Sequence, residues 1–558
     1  MSQDGKRNRG AGIRPAFGGE PEVLIVGGGP VGLVLGCELL QQGVGVRVVE
    51  RRPSPRGSAG LHSRAILIWP RILEQLRRVG VSERLVEAGH VLPSVDYFAE
   101  GRPRGSVRMD RLPDTPYPFV LTLAQGETEE ILRSRLTELG GVVEYETALE
   151  GLEHGTAGDD RPKVRLRRAD GTEETVVPQY LVGADGAGST LRELLGIAFD
   201  PEPIDVSYAI GDFAISGGVP HSVQYYYSPN GIAVVVPLKN GLYRLAGNVP
   251  HRGEEAGPPT LELFQNMLRQ RARLSVRLAE PLWTSSFRPR CGVVHQYRSG
   301  RCFLAGDAAH VVSPAGGQGM NLGLQDAVNL GWKLGGVLRG QLDHSILNTY
   351  HPERSAAAER VGRAAATQIR YGTVRGAFKV GLRDNLFHAS HYAGVLQRGM
   401  APLLAQTDFT YGRQPLGVTG WGVRRPAQEG DRLPLFAGPA ALAGLPVLDL
   451  EQYTVLLWPG RRADRDWAAE AAVLRQRLAD LAPVHDLSTV FGRAHTWLLD
   501  ALGSAPALAV VRPDGHLALR TGPGRPEQVA AFLAEQRPGA ALLRGELAAR
   551  PADAALLT

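Results

Sequence analysis

The sequence predicts an α/β protein: a doubly wound domain interrupted by an antiparallel sheet and followed by a small third domain. Three observations predict it. The apolar run Val23 to Val26 feeds a glycine cluster and an apolar helix through Leu40, and a second apolar run, Val46 to Val49, ends at Glu50. That is a β-α-β unit. Two more strand-like runs, Tyr180 to Gly183 and Cys302 to Ala305, lead into Ala-Asp-Gly and Gly-Asp. Between them the texture changes. Val206 to Ser216, Val223 to Tyr227, Ile232 to Pro237 and Leu242 to Asn248 read as strands joined at Pro229-Asn230-Gly231 and Asn240-Gly241. Both joints are hairpin signals.

Composition sets the bounds. A chain of 558 residues allows three or four domains at roughly 150 residues each. Values of 43% hydrophobic and 21% charged exclude bulk disorder. The 69 glycines and 39 prolines follow no G-X-Y period, which excludes collagen. A net charge of +5 is too small to be a nucleic-acid footprint. Cys37, Cys291 and Cys302 form no CxxC pair, so a reducing, cytoplasmic setting is expected. Residues 1–20 are polar and lack an apolar core, and they read as a disordered tail rather than a signal peptide. No apolar stretch reaches a membrane span, and no metal-ligand spacing stands out.

Gly27-Gly28-Gly29-Pro30-Val31-Gly32 is a G-x-G-x-x-G placed between strand and helix. Gly27 permits the tight turn, Gly29 a close approach of backbone to a pyrophosphate, and Gly32 close helix packing, while the helix start supplies free N–H groups. Glu50 follows Gly32 by 18 residues, where a carboxylate would accept ribose hydroxyls. Asp185, in Gly183-Ala184-Asp185-Gly186, has a second reading as an Asx turn before a capped helix. Asp307 ends the third strand, and Pro314 to Gly319 leads into a helix whose start would favour an anion.

The three segments resemble the flavin fingerprint, the "DG" motif and the "GD" motif of the class A flavin-dependent aromatic hydroxylases, over roughly residues 22–370. Arg512-Pro513-Asp514-Gly515-His516-Leu517-Ala518-Leu519-Arg520 is similar to a stretch of the thioredoxin-like extension in the polyketide-tailoring subgroup. The resemblance implies a Rossmann-like FAD domain of the para-hydroxybenzoate hydroxylase fold. It implies Gly27, Gly29, Val31 and Gly32 at the FAD pyrophosphate, and Glu50 and Arg51 at the adenosine. Gln125 and either Arg56 or Arg64 would lie near the flavin. Asp185 would serve FAD and the approach of NAD(P)H, Asp307 the ribityl–pyrophosphate region, and Pro314, Gly317, Gly319, Met320 and Asn321 the isoalloxazine. Gly188 stands where the family often has Arg or His. Domains are expected at 21–95, 120–200 and 296–410 (FAD), 96–119 and 201–295 (substrate sheet) and 411–558 (C-terminal, without CxxC and therefore without thioredoxin chemistry).

The activity implied is hydroxylation of a polycyclic phenol through a flavin C4a-hydroperoxide, with O₂ and NAD(P)H consumed and NADPH favoured. Baeyer–Villiger or ring-cleaving oxygenation, hydroxylative inactivation of an aromatic antibiotic, and a flavin-binding regulator without turnover remain open. Tyr225 and Tyr227 share one face of a strand and are candidates for substrate contact, with His62, Trp69, Arg244 and Pro314; His310 reads as structural. A homodimer is allowed for, with no nucleic acid and no membrane among the partners.

Overall fold

Val23–Val26, buried at every residue, lies near the middle of a six-stranded sheet in a computed structural model. The structure describes residues 20–55, 65–153, 155, 160–203, 207–250, 258–314, 316–372, 374, 376–411, 426–433, 451–461, 465–490 and 496–538. The expected N-terminal tail lies outside the described residues, apart from Glu20. The strand order is Arg298–Ser299, Cys302–Leu304, Tyr180–Gly183, Val23–Val26, Val46–Val49, Val143–Glu144. All pairs are parallel except that of Arg298–Ser299 with Cys302–Leu304. Continuous apolar runs suit strands covered on both faces. The helix Pro30–Gln41 packs on Gly319–Leu338 and on Gln125–Glu138.

The parallel strands end level with one another. Gly27 N–H donates to Val49 O (2.8 Å), Ala184 N–H to Val26 O (2.8 Å) and Ala305 N–H to Gly183 O (2.9 Å). The glycine turn, the Asp185 turn, the Asp307 turn and Glu50 therefore emerge side by side at the C-terminal edge, where open parallel sheets bind ligands.

The antiparallel sheet runs Arg277–Leu278, Ser207–Ser216, Leu242–Val249, Gly231–Pro237, Val223–Ser228, Ser94–Ala99, Arg102–Arg108, with Trp283–Phe287 also pairing with Ser207–Ser216. Its one parallel pairing is Val223–Ser228 with Ser94–Ala99. Asn240 (φ 60°) and Gly241 (φ 72°) both take the left-handed backbone at their turn, which explains the Asn-Gly pair.

The C-terminal sheet has the order Val484–Asp486, Thr454–Trp458, Ala507–Val511, Leu517–Thr521, with helices Arg465–Leu478, Thr496–Leu502 and Pro526–Glu535. The sequence indicates all of these except Val484–Asp486 and Thr496–Leu502, which are too short to show a periodicity.

The Arg512-to-His516 turn is driven into the first domain rather than left on the surface. Arg512 donates to both oxygens of Glu353 (2.8 and 2.9 Å), Lys333 donates to Glu353 (2.8 Å), and Trp332 Nε1–H donates to Asp514 (3.2 Å). Arg71 donates to the carbonyl of Asp514 (2.8 Å) and Arg78 to that of Pro513. Burial alone would raise the Glu353 carboxyl, but Arg512 and Lys333 hold it at about 2. Burial pushes His516 down to about 4, against the pull of Asp514, and its Nε2 has no partner among the described residues. Among the described residues no helix is long and apolar enough to cross a membrane.

A histidine kept neutral by folding contributes stability above its unfolded pKa, near 6.5, and loses it as pH falls toward the lower folded value. Resistance to urea is expected to fall between pH 6.5 and 4, by on the order of 2–3 kcal/mol from this group. His516→Gln is expected to flatten that part of the curve in urea titrations followed by tryptophan fluorescence.

Candidate active site

One cavity of about 1550 Å³ runs from the glycine turn to the face of the antiparallel sheet. At Gly27 φ is 114°, and a Cβ would lie 2.2 Å from the carbonyl oxygen of Ala184; at Gly32 it would lie 2.0 Å from that of Gly27. Both positions need glycine for the protein's own packing. Gly29 differs. A Cβ there would meet nothing within 4 Å, and the residue lines the cavity with Gly27, Gly28, Pro30 and Val31. No side chain caps the helix that starts at Pro30, so its first-turn N–H groups suit a phosphate. Gly32 packs beneath them and is not a lining residue.

Glu50 is buried, accepting from Gly28 N–H (2.9 Å) and from Arg52 N–H and Nε (3.0 Å each). Burial raises its pKa, but these donors outweigh it and leave the carboxylate ionised. It both braces the glycine turn and lines the cavity, beside the exposed Arg51. Gln125 lines the cavity and donates to Glu129 (2.8 Å). Arg56, Arg64 and His62 lie outside the described residues.

Asp185 lines the cavity, and its carboxylate also holds its own turn. Oδ1 accepts from Ser189 Oγ–H (2.5 Å) and Oδ2 from Leu191 N–H (3.2 Å), while Ser189 Oγ caps the helix Thr190–Leu194. Arg192 ties this turn to the Asp307 turn, donating to Ala187 O (2.8 Å) and Ala308 O (3.1 Å). Gly188 opens onto the cavity.

Asp307 is open to the cavity yet lies deep in the protein, and those surroundings push its pKa up. The turn that carries it is fixed from behind. Asp326 accepts from Gly306 N–H (2.9 Å), contacts His310 Nε2 (2.6 Å) and accepts from Arg354 (2.6 Å). His310 is thus a structural residue.

Pro314, Gly317, Gly319 and Met320 line the cavity. Asn321 does not, because its side chain is spent on the loop: it accepts from Trp69 N–H (2.9 Å) and donates to Leu67 O (2.8 Å) and Gly317 O (2.9 Å). Trp69, a substrate-contact candidate from sequence, instead donates through Nε1 to Gly316 O (3.2 Å). Both act as braces. No side chain caps the helix Gly319–Leu338.

The sheet forms the far wall. Register places Ile210, Ala246, Val234 and Tyr225 in one row, with Tyr208 beside Phe287 and Ile232 beside Tyr227 in the next. All eight line the cavity, as alternation requires of Tyr225 and Tyr227. Tyr226 faces the other side and stacks on Phe98 at 4.6 Å. Burial raises Tyr225 to about 12 and Tyr227 further, against hydrogen bonds from Gln368, so both remain neutral donors. Arg244 also lines this wall.

Sequence reasoning missed Arg52, Arg192, Tyr208, Phe287 and Gln368. Tyr208 was within reach, since alternation along its strand puts it on the face of Ile210. Gln368 sits inside a helix with no local signal.

FAD fits this arrangement: a cradle that a side chain at Gly29 would fill, an uncapped helix start and an ionised Glu50. The backbone at Gly29 (φ −80°) suits any residue. Gly29→Val is therefore expected to fold with an unchanged far-UV spectrum but to bind FAD at least tenfold more weakly, measured by flavin fluorescence titration.

A family model for an FAD binding domain matches residues 20–365. The 6-methylpretetramide 4-monooxygenase of Streptomyces rimosus is 34% identical over 540 residues, 90% of this chain and 90% of that one. Rifampicin monooxygenase of Streptomyces venezuelae is 36% identical over 352 residues, 61% of this chain and 69% of that one. Among solved structures, an anhydrotetracycline hydroxylase from Streptomyces rimosus matches with a TM-score of 0.69 at 28% identity, over 93% of this chain and 99% of that one. The chain belongs to the FAD binding domain family, and it is an FAD-dependent monooxygenase with the class A aromatic hydroxylase fold.

Proposed function

We propose that this enzyme hydroxylates a polycyclic aromatic phenol of the polyketide kind, using NADPH and O₂. One observation carries the reading: the cavity continues from the dinucleotide cradle into an aromatic and aliphatic chamber on the sheet face. Its volume, about 1550 Å³, exceeds the roughly 300–1,000 Å³ of a single small-ligand site. It suits a dinucleotide and a second ring system together. The 6-methylpretetramide and anhydrotetracycline enzymes named above act on polycyclic aromatics, which supports the substrate class. The name rifampicin monooxygenase supports, as a second reading, hydroxylation of an aromatic antibiotic.

In this reading the start of the Pro30–Gln41 helix holds the pyrophosphate, Glu50 accepts from the ribose, and Asp307 holds the ribityl–pyrophosphate stretch. The loop from Pro314 to Met320 bears the ring, and the N-terminal end of the Gly319–Leu338 helix favours negative charge there by about 1 kcal/mol. FAD, when bound, would supply the redox chemistry by which one atom of O₂ enters the aromatic ring and the other leaves as water, with NAD(P)H as the reductant. Tyr225 and Tyr227 offer protonated hydroxyls to the substrate, and the aliphatic rows exclude water.

The same reading divides the chain into an FAD domain (21–95, 120–200, 296–410), a substrate sheet (96–119, 201–295) and a thioredoxin-like C-terminal domain (411–558). The β-α-β-α-β-β-α order of the last supports its place.

The test is turnover of polycyclic phenols with NADPH under ¹⁸O₂, followed by mass spectrometry. The expected product carries a single ¹⁸O as a ring hydroxyl. A lactone, an ester or a cleaved ring would overturn hydroxylation in favour of Baeyer–Villiger chemistry.

A further inference from the structure

Among the described residues the substrate wall carries a single positive charge, Arg244, and the protein itself supplies a carboxylate to it. Register on the antiparallel sheet sets Asp212 directly opposite Arg244 on one side and opposite Trp283 on the other. Arg244 donates to Asp212 Oδ1 through Nε and to Oδ2 through Nη2 (2.9 Å), and Trp283 Nε1–H donates to Oδ2 (2.8 Å). The guanidinium carbon lies 5.1 Å from the Trp283 ring centre. Arg244 is 2% exposed and Asp212 6%.

A buried guanidinium facing a chamber without such a partner is a carboxylate receptor, because desolvation makes an uncompensated charge costly and a bidentate anion relieves it. Here the anion is built in. Among the described residues, the other polar groups of the sheet-side chamber are the hydroxyls of Tyr208, Tyr225 and Tyr227 and the amide of Gln368, all neutral. The remaining charged lining residues described, among them Glu50, Arg51, Asp185 and Asp307, lie outside the strands of the antiparallel sheet.

We propose that Asp212 is a specificity-determining residue: by occupying Arg244 it makes the chamber select uncharged ring systems and reject those bearing a carboxylate. This rests on the reading that aromatic substrates bind against the sheet face. It adds the charge of the substrate and the residue that sets it. Asp212 acts through Arg244 without itself lining the cavity.

The test is binding to the FAD-loaded enzyme of two probes differing in one substituent, 2-hydroxymethylanthraquinone and anthraquinone-2-carboxylate, by fluorescence titration at pH 7.5. The wild type is expected to prefer the alcohol at least tenfold. Asp212→Asn, which removes this carboxylate from the guanidinium, is expected to reduce that ratio at least tenfold. The double variant Asp212→Asn with Arg244→Gln is expected to lose the gain for the carboxylate. Equal binding of both probes by the wild type overturns the proposal, as does an unchanged ratio in an Asp212→Asn protein of wild-type FAD content. If Asp212→Asn does not fold, the wild-type ratio decides. Failure of every form to bind either probe overturns this proposal together with the chamber's role. Selective binding without oxygen transfer to any phenol leaves the charge selection standing and removes the hydroxylase reading.

Discussion

Three backbone hydrogen bonds, from Gly27 to Val49, from Ala184 to Val26 and from Ala305 to Gly183, hold the ends of four parallel strands level. Everything at the cofactor end depends on that alignment. It sets the glycine turn, the acid at Glu50 and the two aspartate turns along one edge. The turns are then tied crosswise, Arg192 bridging the Asp185 and Asp307 turns and Asp326 gripping the Gly306 N–H from behind. These residues sit behind the ligand surface, and their work is to keep its geometry rigid before any ligand arrives.

The antiparallel sheet supplies the other half of the cavity under a different constraint. Strand register decides which side chains share a row, and a slip of one residue would turn the Tyr225 face away from the cavity. The same register couples Asp212 to Arg244. Chamber shape and chamber charge thus come from one set of backbone pairings. The C-terminal domain meets the first through a buried ionic cluster around Arg512, Glu353 and Asp514. A buried network of this kind adds little net stability over an apolar contact but strongly penalises misplacement. It pins the helix Gly319–Leu338, which carries Trp332 and Lys333 at this contact and Met320 at the cavity.

Much of the cofactor end was legible in the sequence, because each of its parts is a short local pattern. Gly27 to Gly32 shows both its turn and its helix, and Glu50 its spacing. Tyr225 and Tyr227 announce a common face by alternation alone. Asn321 and Trp69 were visible as notable residues, but not as braces of the loop they flank, since that role needs partners some 250 residues away. Gln368 and Phe287 had no local signal at all, and Arg192, though it belongs to the stretch around Asp185, gave no sign that it bridges to the Asp307 turn.

By itself the sequence determined what lies within a few residues along the chain: left-handed turns that only glycine accepts, uncapped helix starts, two-residue alternation, and a C-terminal domain without a CxxC pair. Only the tertiary structure decided which strand ends stand together, that Asp212 meets Arg244, and that the Arg512-to-His516 turn is an internal anchor. The reason is physical. Backbone conformation and periodicity are local energies that each segment carries alone. Adjacency is chosen by how distant surfaces bury one another and satisfy one another's charges, and no segment carries that choice by itself.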